Sequence, residues 1–418
     1  MITSDAKLFN HAQQMRYRAR TGIVVDIENL GKNNKCIAVP QNNSLEEIRS
    51  GVWLKKTSCT FSKNNFTNIY DLFWDQNQID IVPWIHSSHT PYSLADQMEK
   101  DSNMIAVIDG AFFFLTDVAD WEPLDLPYNL CIRNKKILGL PSWDHPIAYI
   151  ESSKLKAQNT HATGEMIIGN KQLKWVGAHS KFKKKKGYNA VLYNSKCSDV
   201  VKVRDPKTNI QIGILDNKHI TTPKNKDCID IVVGRDKHEN LAITHLNKGG
   251  RTHFFDGLFI LQMKRSKNTF HVGDHVVLLT LDGLNLQSIS SAITVGRSVH
   301  DPFFIRDERV DRHDARSILA QDSNGFIHFM VFDGSKYVPG FRGVSAKEIS
   351  PFFSHEKFNW AYFLDGGGSA RIVFRQKGKL KFLANEFAFI KLKNGEILWD
   401  WQKARKHASS ISIRLKAQ

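Results

Sequence analysis

Apolar residues along most of this chain fall in short runs separated by turn residues. The runs lie at 51–54, 69–73, 79–84, 104–108, 129–132, 190–193, 210–215, 229–233, 258–263, 275–281, 326–332, 361–364, 372–374 and 387–392. Short apolar runs bounded by Gly, Pro, Asn, Asp and Ser predict strands. Helical periodicity is scarce. Leu8, Ala12 and Met15 share one face of a helix over 4–20, and 92–100 is a second short candidate. The third is 345–355, where Ser345 stands at the N-cap and Glu348 at the third position after it, the pattern of a capping box. Pro351 is expected to bend or end that helix early. The pattern predicts a β-rich α+β fold: a single large domain of mixed and antiparallel curved sheets with flanking helices over 49–418. A polar N-terminal extension, 1–48, precedes it.

Composition changes this picture in three respects. A hydrophobic fraction of 41%, with 26 Phe and 9 Trp, is enough to fill a core and argues against a disordered chain. A net charge of +16 favours anionic partners, whether a phosphorylated glycan, a nucleotide, nucleic acid or an anionic membrane face. The charge is densest at Lys181-Phe182-Lys183-Lys184-Lys185-Lys186-Gly187. Like charges repel, so this run reads as a mobile, solvated loop or, in the sharper reading, as a basic flap drawing in a phosphorylated substrate. Third, the five cysteines (Cys36, Cys59, Cys131, Cys197, Cys228) include no C-x-x-C pair, so no zinc pattern is legible and a reducing compartment is expected. The N-terminus lacks an apolar h-region, and no run approaches the ~18 apolar residues of a membrane span. A cytoplasmic location is expected, and signal-independent export is compatible with it. The sequence leaves the oligomeric state open.

The densest candidate chemistry lies at Leu364-Asp365-Gly366-Gly367-Gly368-Ser369. An apolar strand runs into a carboxylate and then into three glycines, where backbone can approach a ligand and successive N–H groups can form an anion nest. An ordinary tight turn is the plainer reading. Upstream lie Arg316-Ser317 opening a strand, Asp333-Gly334 closing one, and Gly343 to Glu348 leading into the capped helix. Far earlier, Val107-Ile108-Asp109-Gly110-Ala111-Phe112 is another apolar strand ending in Asp-Gly.

This ordered set resembles the phosphodiester glycosidase family. The matching stretches are 109–112, 189–193, 273–276, 316–320, 333–334, 343–348 and 364–370, in the family's order and spanning roughly residues 50–395. Asp109 stands where the family has Asn, Ala111 where it has Gly, Ser317 where it has Thr and Ala370 where it has Ser. A stretch at 295–302 stands where the family has a glycine-rich segment. The resemblance implies a phosphodiester-glycosidase-like fold and hydrolysis of a sugar-1-phosphodiester, glycan- or nucleotide-linked, to free sugar and a phosphomonoester.

That chemistry needs a carboxylate at the anomeric carbon, cations or N–H groups on the phosphate, and hydrogen bonds to the sugar. Asp365 and Asp109 are the expected carboxylates and Arg316 the phosphate clamp, its planar fork matching a phosphate. Ser317, Ser369 and the amides of Gly366, Gly367 and Gly368 are expected to contact phosphate or sugar oxygens, with Gly110 beside them. Glu348 is either catalytic or a helix cap, Asp333 either a site or a turn residue, and Phe112 either a sugar platform or a core ring. His300 and His313 flank the replaced segment and read as surface residues or as pH-poised acid–base groups. No cofactor is legible with certainty in the sequence. A divalent cation such as calcium is compatible with Asp ligands, although no EF-hand-like run supports one. Two other readings stay open: a binding module without turnover, for phosphorylated glycan or nucleotide, and a nucleic-acid-directed phosphodiesterase or binder.

Overall fold

The computed structural model describes residues 39–62, 65–77, 79–85, 94–110, 115–117, 122–123, 130–184, 186–194, 200–204, 211–215, 221–254, 256–265, 270–302, 313–334, 341–355, 357–383, 389–391, 397–399 and 409–415. The fold is the expected β-rich α+β type, with strands far outnumbering helices. Its internal contacts gather into two compact units. One comprises Met1–Ile81, Tyr92–Gly110 and Gly296–Gln418, the other Val82–Pro91 and Ala111–Val295.

The first unit is built on a six-stranded sheet in the order Val39–Arg49, Val52–Ser62, Asn65–Asp75, Phe326–Phe332, Arg316–Asp322, Phe358–Gly366. Every neighbouring pair is antiparallel. Residues 39–48, read from sequence as part of the extension, instead supply most of its edge strand. The central strands are buried almost throughout, which explains why they read as continuous apolar runs rather than alternating ones. Ile318, Met330, Phe332, Ala361 and Phe363 form one core with Ile349 and Phe353 of the helix Ala346–His355. That helix does not stop at Pro351. Proline supplies no N–H and disfavours the interior of a helix, but the burial of Ile349 before it and Phe353 after it carries the chain on to His355.

Elsewhere in this sheet the His328 ring stacks on Phe73 and meets Phe358 edge-on. Its Nδ1 lies 2.9 Å from Asp71 Oδ1 and its Nε2 3.8 Å from Asp322 Oδ2. Burial opposes a charge on this ring, but the two carboxylates outweigh it and push His328 up to about 9. The unit's second sheet runs Lys379–Leu383, Ile372–Gln376, Met104–Asp109, Ser409–Leu415, Ile79–Ile85. Met104–Asp109 is buried along its whole length, so its last residue is delivered into the interior.

The second unit holds an eight-stranded sheet with one parallel pair, Lys171–Gly177 beside Ala190–Tyr193, and a five-stranded antiparallel sheet. Trp175, Phe259, Leu261, Leu278 and Ile231 lie at the centre of its core. A buried polar group is embedded in the larger sheet. Asp230 Oδ2 accepts hydrogen bonds from the hydroxyls of Thr222 and Thr252, and Oδ1 accepts one of 2.9 Å from Gln262 Nε2. Cys131 and Cys228 are free thiols. Among the described residues no helix is long and apolar enough to cross a membrane.

Candidate active site

Two strand ends meet in the first unit. Met104–Asp109 ends at Asp109-Gly110, and Phe358–Gly366 ends at Asp365-Gly366. The Asp365 N–H donates to the Gly110 carbonyl at 2.8 Å, which ties the two Asp-Gly corners together. A third strand, Arg316–Asp322, pairs with the second of these, Arg316 lying opposite Gly366. Asp109, Gly110, Arg316, Ser317 and Asp365 therefore converge although they are distant in sequence.

Asp109 is fully buried. Its Oδ1 accepts from the Ser317 hydroxyl at 2.6 Å and from the Arg371 N–H at 3.2 Å. Its Oδ2 is buried without a hydrogen-bond partner among the described residues. Desolvation, and then the neighbouring Asp365 carboxylate, push Asp109 well above the usual carboxylate range. The Ser317 and Arg371 contacts oppose this without cancelling it. Burial and Asp365 thus favour the protonated form of Asp109, and its Oδ1 carries two donors. Asp365 is buried too, and its Oδ1 accepts from the Gly366 N–H at 2.8 Å.

The glycine run has an unexpected use. Gly367 opens a 3-10 turn, Gly367–Ser369, with φ +57°. Its N–H donates to the Ala315 carbonyl at 2.9 Å, and the Gly366 N–H is taken by Asp365. Two of the three amides expected to hold an anion are therefore committed inside the protein. The Ser317 hydroxyl is likewise spent on Asp109, and its side chain is fully buried, so it positions Asp109 instead of meeting phosphate. Ser369 is fully buried as well. A Cβ at position 366 would sit 3.7 Å from Arg316 Nη1 and 3.0 Å from the Ala315 carbonyl. The bare backbone at 366 lets the guanidinium lie against the turn. Arg316 Nε reaches the Val344 carbonyl at 3.5 Å, the outer limit of a hydrogen bond.

The remaining motif segments pack around this corner. Gly343 has φ +83°, and a Cβ there would fall 2.2 Å from the Asp314 carbonyl oxygen. Gly334 crosses the same backbone so closely that its own Cβ would meet Gly343 N and Cα at 2.2 Å. Asp333 is fully buried, and its Oδ1 accepts from the Gly334 N–H at 2.8 Å, a turn-forming arrangement. Glu348 closes the capping box. The Ser345 N–H donates to Glu348 Oε2 at 2.9 Å, and the Glu348 N–H reaches the Ser345 hydroxyl at 3.4 Å. Glu348 also meets His313 Nε2 at 3.0 Å. His300 Nδ1 lies 3.1 Å from Ser350 Oγ, and partial burial lowers its pKa. Phe112 lies outside the described residues.

Two neighbours escaped sequence reasoning. The Asp314 carboxylate lies 3.3 Å from where a Cβ on Gly367 would stand. Arg371, a buried arginine two residues after Ser369, puts its backbone N–H and its positive charge on Asp109. The available signals were an acidic residue two before Arg316, and a cation emerging from an otherwise apolar stretch after the glycines. Among the described residues no group of three or more His, Cys, Asp or Glu side chains is disposed to hold a metal ion.

Comparison with known proteins fits this corner. Residues 231–398 match the model of the phosphodiester glycosidase family. The matched segment includes Arg316, Asp333, Gly343 to Glu348 and Asp365 to Ser369; Asp109 and Gly110 lie before it. No curated protein matches the sequence. Among solved structures, a hypothetical protein from Synechocystis shares 13% identity at a TM-score of 0.56, over 90% of this chain and 64% of that one. A putative exported protein from Burkholderia pseudomallei shares 12% identity at a TM-score of 0.51, over 84% of this chain and 75% of that one. At such identities the likeness is one of fold. The auto-inhibited catalytic domain of zebrafish N-acetylglucosamine-1-phosphodiester alpha-N-acetylglucosaminidase aligns at 10% identity and a TM-score of 0.38, over 91% of this chain and 89% of that one.

Proposed function

We propose that this protein hydrolyses a sugar-1-phosphodiester by breaking the bond between the anomeric carbon and its oxygen. The observation that carries this reading is the joined pair of Asp-Gly corners, with Arg316 laid against one of them. Asp365 is the ionised carboxylate in this scheme. It stabilises positive charge developing at the anomeric carbon and accepts the proton of the attacking water. Arg316 holds the phosphate, on which negative charge grows as the bond breaks. The leaving group is a phosphomonoester, whose second pKa is about 6, so it departs as an anion without a strong general acid. The upward shift of Asp109 suits the scheme, because when one of two adjacent carboxyls keeps its proton the other ionises more readily. Its role is to hold Ser317 and the Arg371 backbone so that the corner keeps its shape.

Product analysis in ¹⁸O water tests the proposal with glycan- and nucleotide-linked sugar-1-phosphodiesters. Label is expected on the anomeric oxygen of the released sugar. Label on the phosphate alone would overturn the glycosidase reading in favour of a phosphodiesterase. Tight binding of these compounds with no product would make the protein a binding module.

A further inference from the structure

The second unit carries a surface that this chemistry does not use. Trp143 is one of the few large hydrophobic side chains left open among the described residues, at 42% exposure. Its indole stacks on His179 with ring centroids 4.4 Å apart and planes at 22°. With one face covered by the imidazole, the open area belongs to the other face and the ring edges. The lysine run begins immediately beside it. Asp144, next to Trp143, accepts the Lys181 N–H at 3.1 Å and the Ala162 N–H at 2.9 Å through its two oxygens.

The run is also less free than its charge suggests. The Phe182 N–H reaches the Ser180 hydroxyl at 3.2 Å, and the Lys183 N–H donates to the Ser180 carbonyl at 3.1 Å. The Phe182 ring meets His161 edge-on at 4.7 Å. Lys181 Nζ lies over the Phe182 ring, and Lys183 Nζ lies 5.7 Å from the centroid of Tyr193. Lys181, Lys183, Lys184 and Lys186 are all exposed. The run therefore starts from an anchored turn, with its exposed lysines beginning next to a supported aromatic ring.

We propose that the Trp143–His179 stack and the turn residues 180–184 and 186–187 form a binding site for single-stranded nucleic acid. A base stacks on the open face of Trp143, and the flanking phosphates lie along the lysines. Every base offers a π-face to such a platform, while the cations track the backbone, a combination that binds single strands with little sequence preference. A membrane surface fits less well, because it would call for several apolar residues beside the lysines, and the turn presents one exposed indole. The chain's net charge of +16 adds long-range attraction to the same ligand.

The test is fluorescence anisotropy with a labelled oligothymidylate of about 15 nucleotides, titrated at several salt concentrations. Binding is expected to weaken with salt, with a log–log slope of roughly −3 for about four phosphates on a single strand. Trp143→Ala is expected to weaken binding roughly 5- to 150-fold, the range for loss of one stacked base, with little change in slope. Replacing Lys181, Lys183, Lys184 and Lys186 together by Ala should flatten the slope. Circular dichroism should show all variants folded. Absence of binding at low salt would overturn the proposal. So would affinity unchanged by Trp143→Ala, or equal affinity for heparin or anionic vesicles, which would mark a non-selective cationic surface. None of these outcomes depends on the glycosidase assignment.

Discussion

Asp109 and Asp230 are the same residue at the same burial in two different units, and they are treated in opposite ways. Asp230 has donors on both oxygens, from Thr222, Thr252 and Gln262. A buried carboxylate so completely served is a structural fixture. Asp109 has donors on Oδ1, a bare Oδ2 and a second carboxylate in its field. The difference shows that burial alone does not fix how a carboxylate is held. What sets Asp109 apart is an incomplete set of partners together with a neighbouring carboxyl group.

The comparison can be broken at several points. The largest effect is expected at Asp365, the proposed base. Asp365→Asn should lower the hydrolysis rate by roughly 10²- to 10⁴-fold, the range for loss of a positioned acid–base group, while leaving the melting curve near that of the wild type. Wild-type turnover in this variant would remove Asp365 from the chemistry. Next comes Asp230→Ala, which strands three buried donors and should cost roughly 3–5 kcal/mol of stability by denaturant titration. Any activity lost should follow the folded fraction.

A third buried set, Asp71–His328–Asp322, sharpens the contrast because its partners favour charge. His328 is raised from its ordinary value near 6.5 to about 9. The folded state therefore binds the proton more tightly than the unfolded chain. The stabilisation is complete below about pH 6.5 and is lost as pH rises through about 9, on the order of 1–3 kcal/mol. His328→Gln should flatten the alkaline limb of a stability–pH curve. The smallest effect on activity is expected at Asp109. Because burial and Asp365 both favour its protonated form, Asp109→Asn keeps an acceptor at Oδ1 and carries no charge, so turnover should stay within roughly threefold of wild type. A raised carboxyl favours the folded state at acid pH and loses that advantage as pH climbs from about 4. The Asn variant should lack that decline. A collapse of activity in Asp109→Asn would show that Asp109 must ionise.

Much of the first unit was legible because its central strands are buried on both faces and read as unbroken apolar runs, Phe326–Phe332 above all. The strand over 171–177 was not. There Leu173 and Trp175 point inward while Gln172 and Lys174 are exposed, so one face is apolar and no run forms. The charged strand Lys154–Gln158 escaped for the same reason. The pairing of Asp109 with Asp365 followed from two apolar strands that each end in Asp-Gly. The fate of the glycines did not, because a nest open to a ligand and amides closed by Ala315 and Asp365 have the same sequence. The Ser345–Glu348 box was legible and forms as read. The added contact from His313 depended on folding.

The strand that carries Asp365 also fixes both ends of the long excursion from 111 to 295. Gly110, where the excursion begins, accepts from the N–H of Asp365, and Gly296, just after it ends, donates to the carbonyl of Phe363. Those anchor points are two residues apart on one strand, about 7 Å. For the carboxylate, whatever the chain does in between amounts to a loop of fixed span. The cost of closing such a loop grows only slowly with its length. The excursion can therefore lengthen, shorten or change its surface while Asp365 stays where it is.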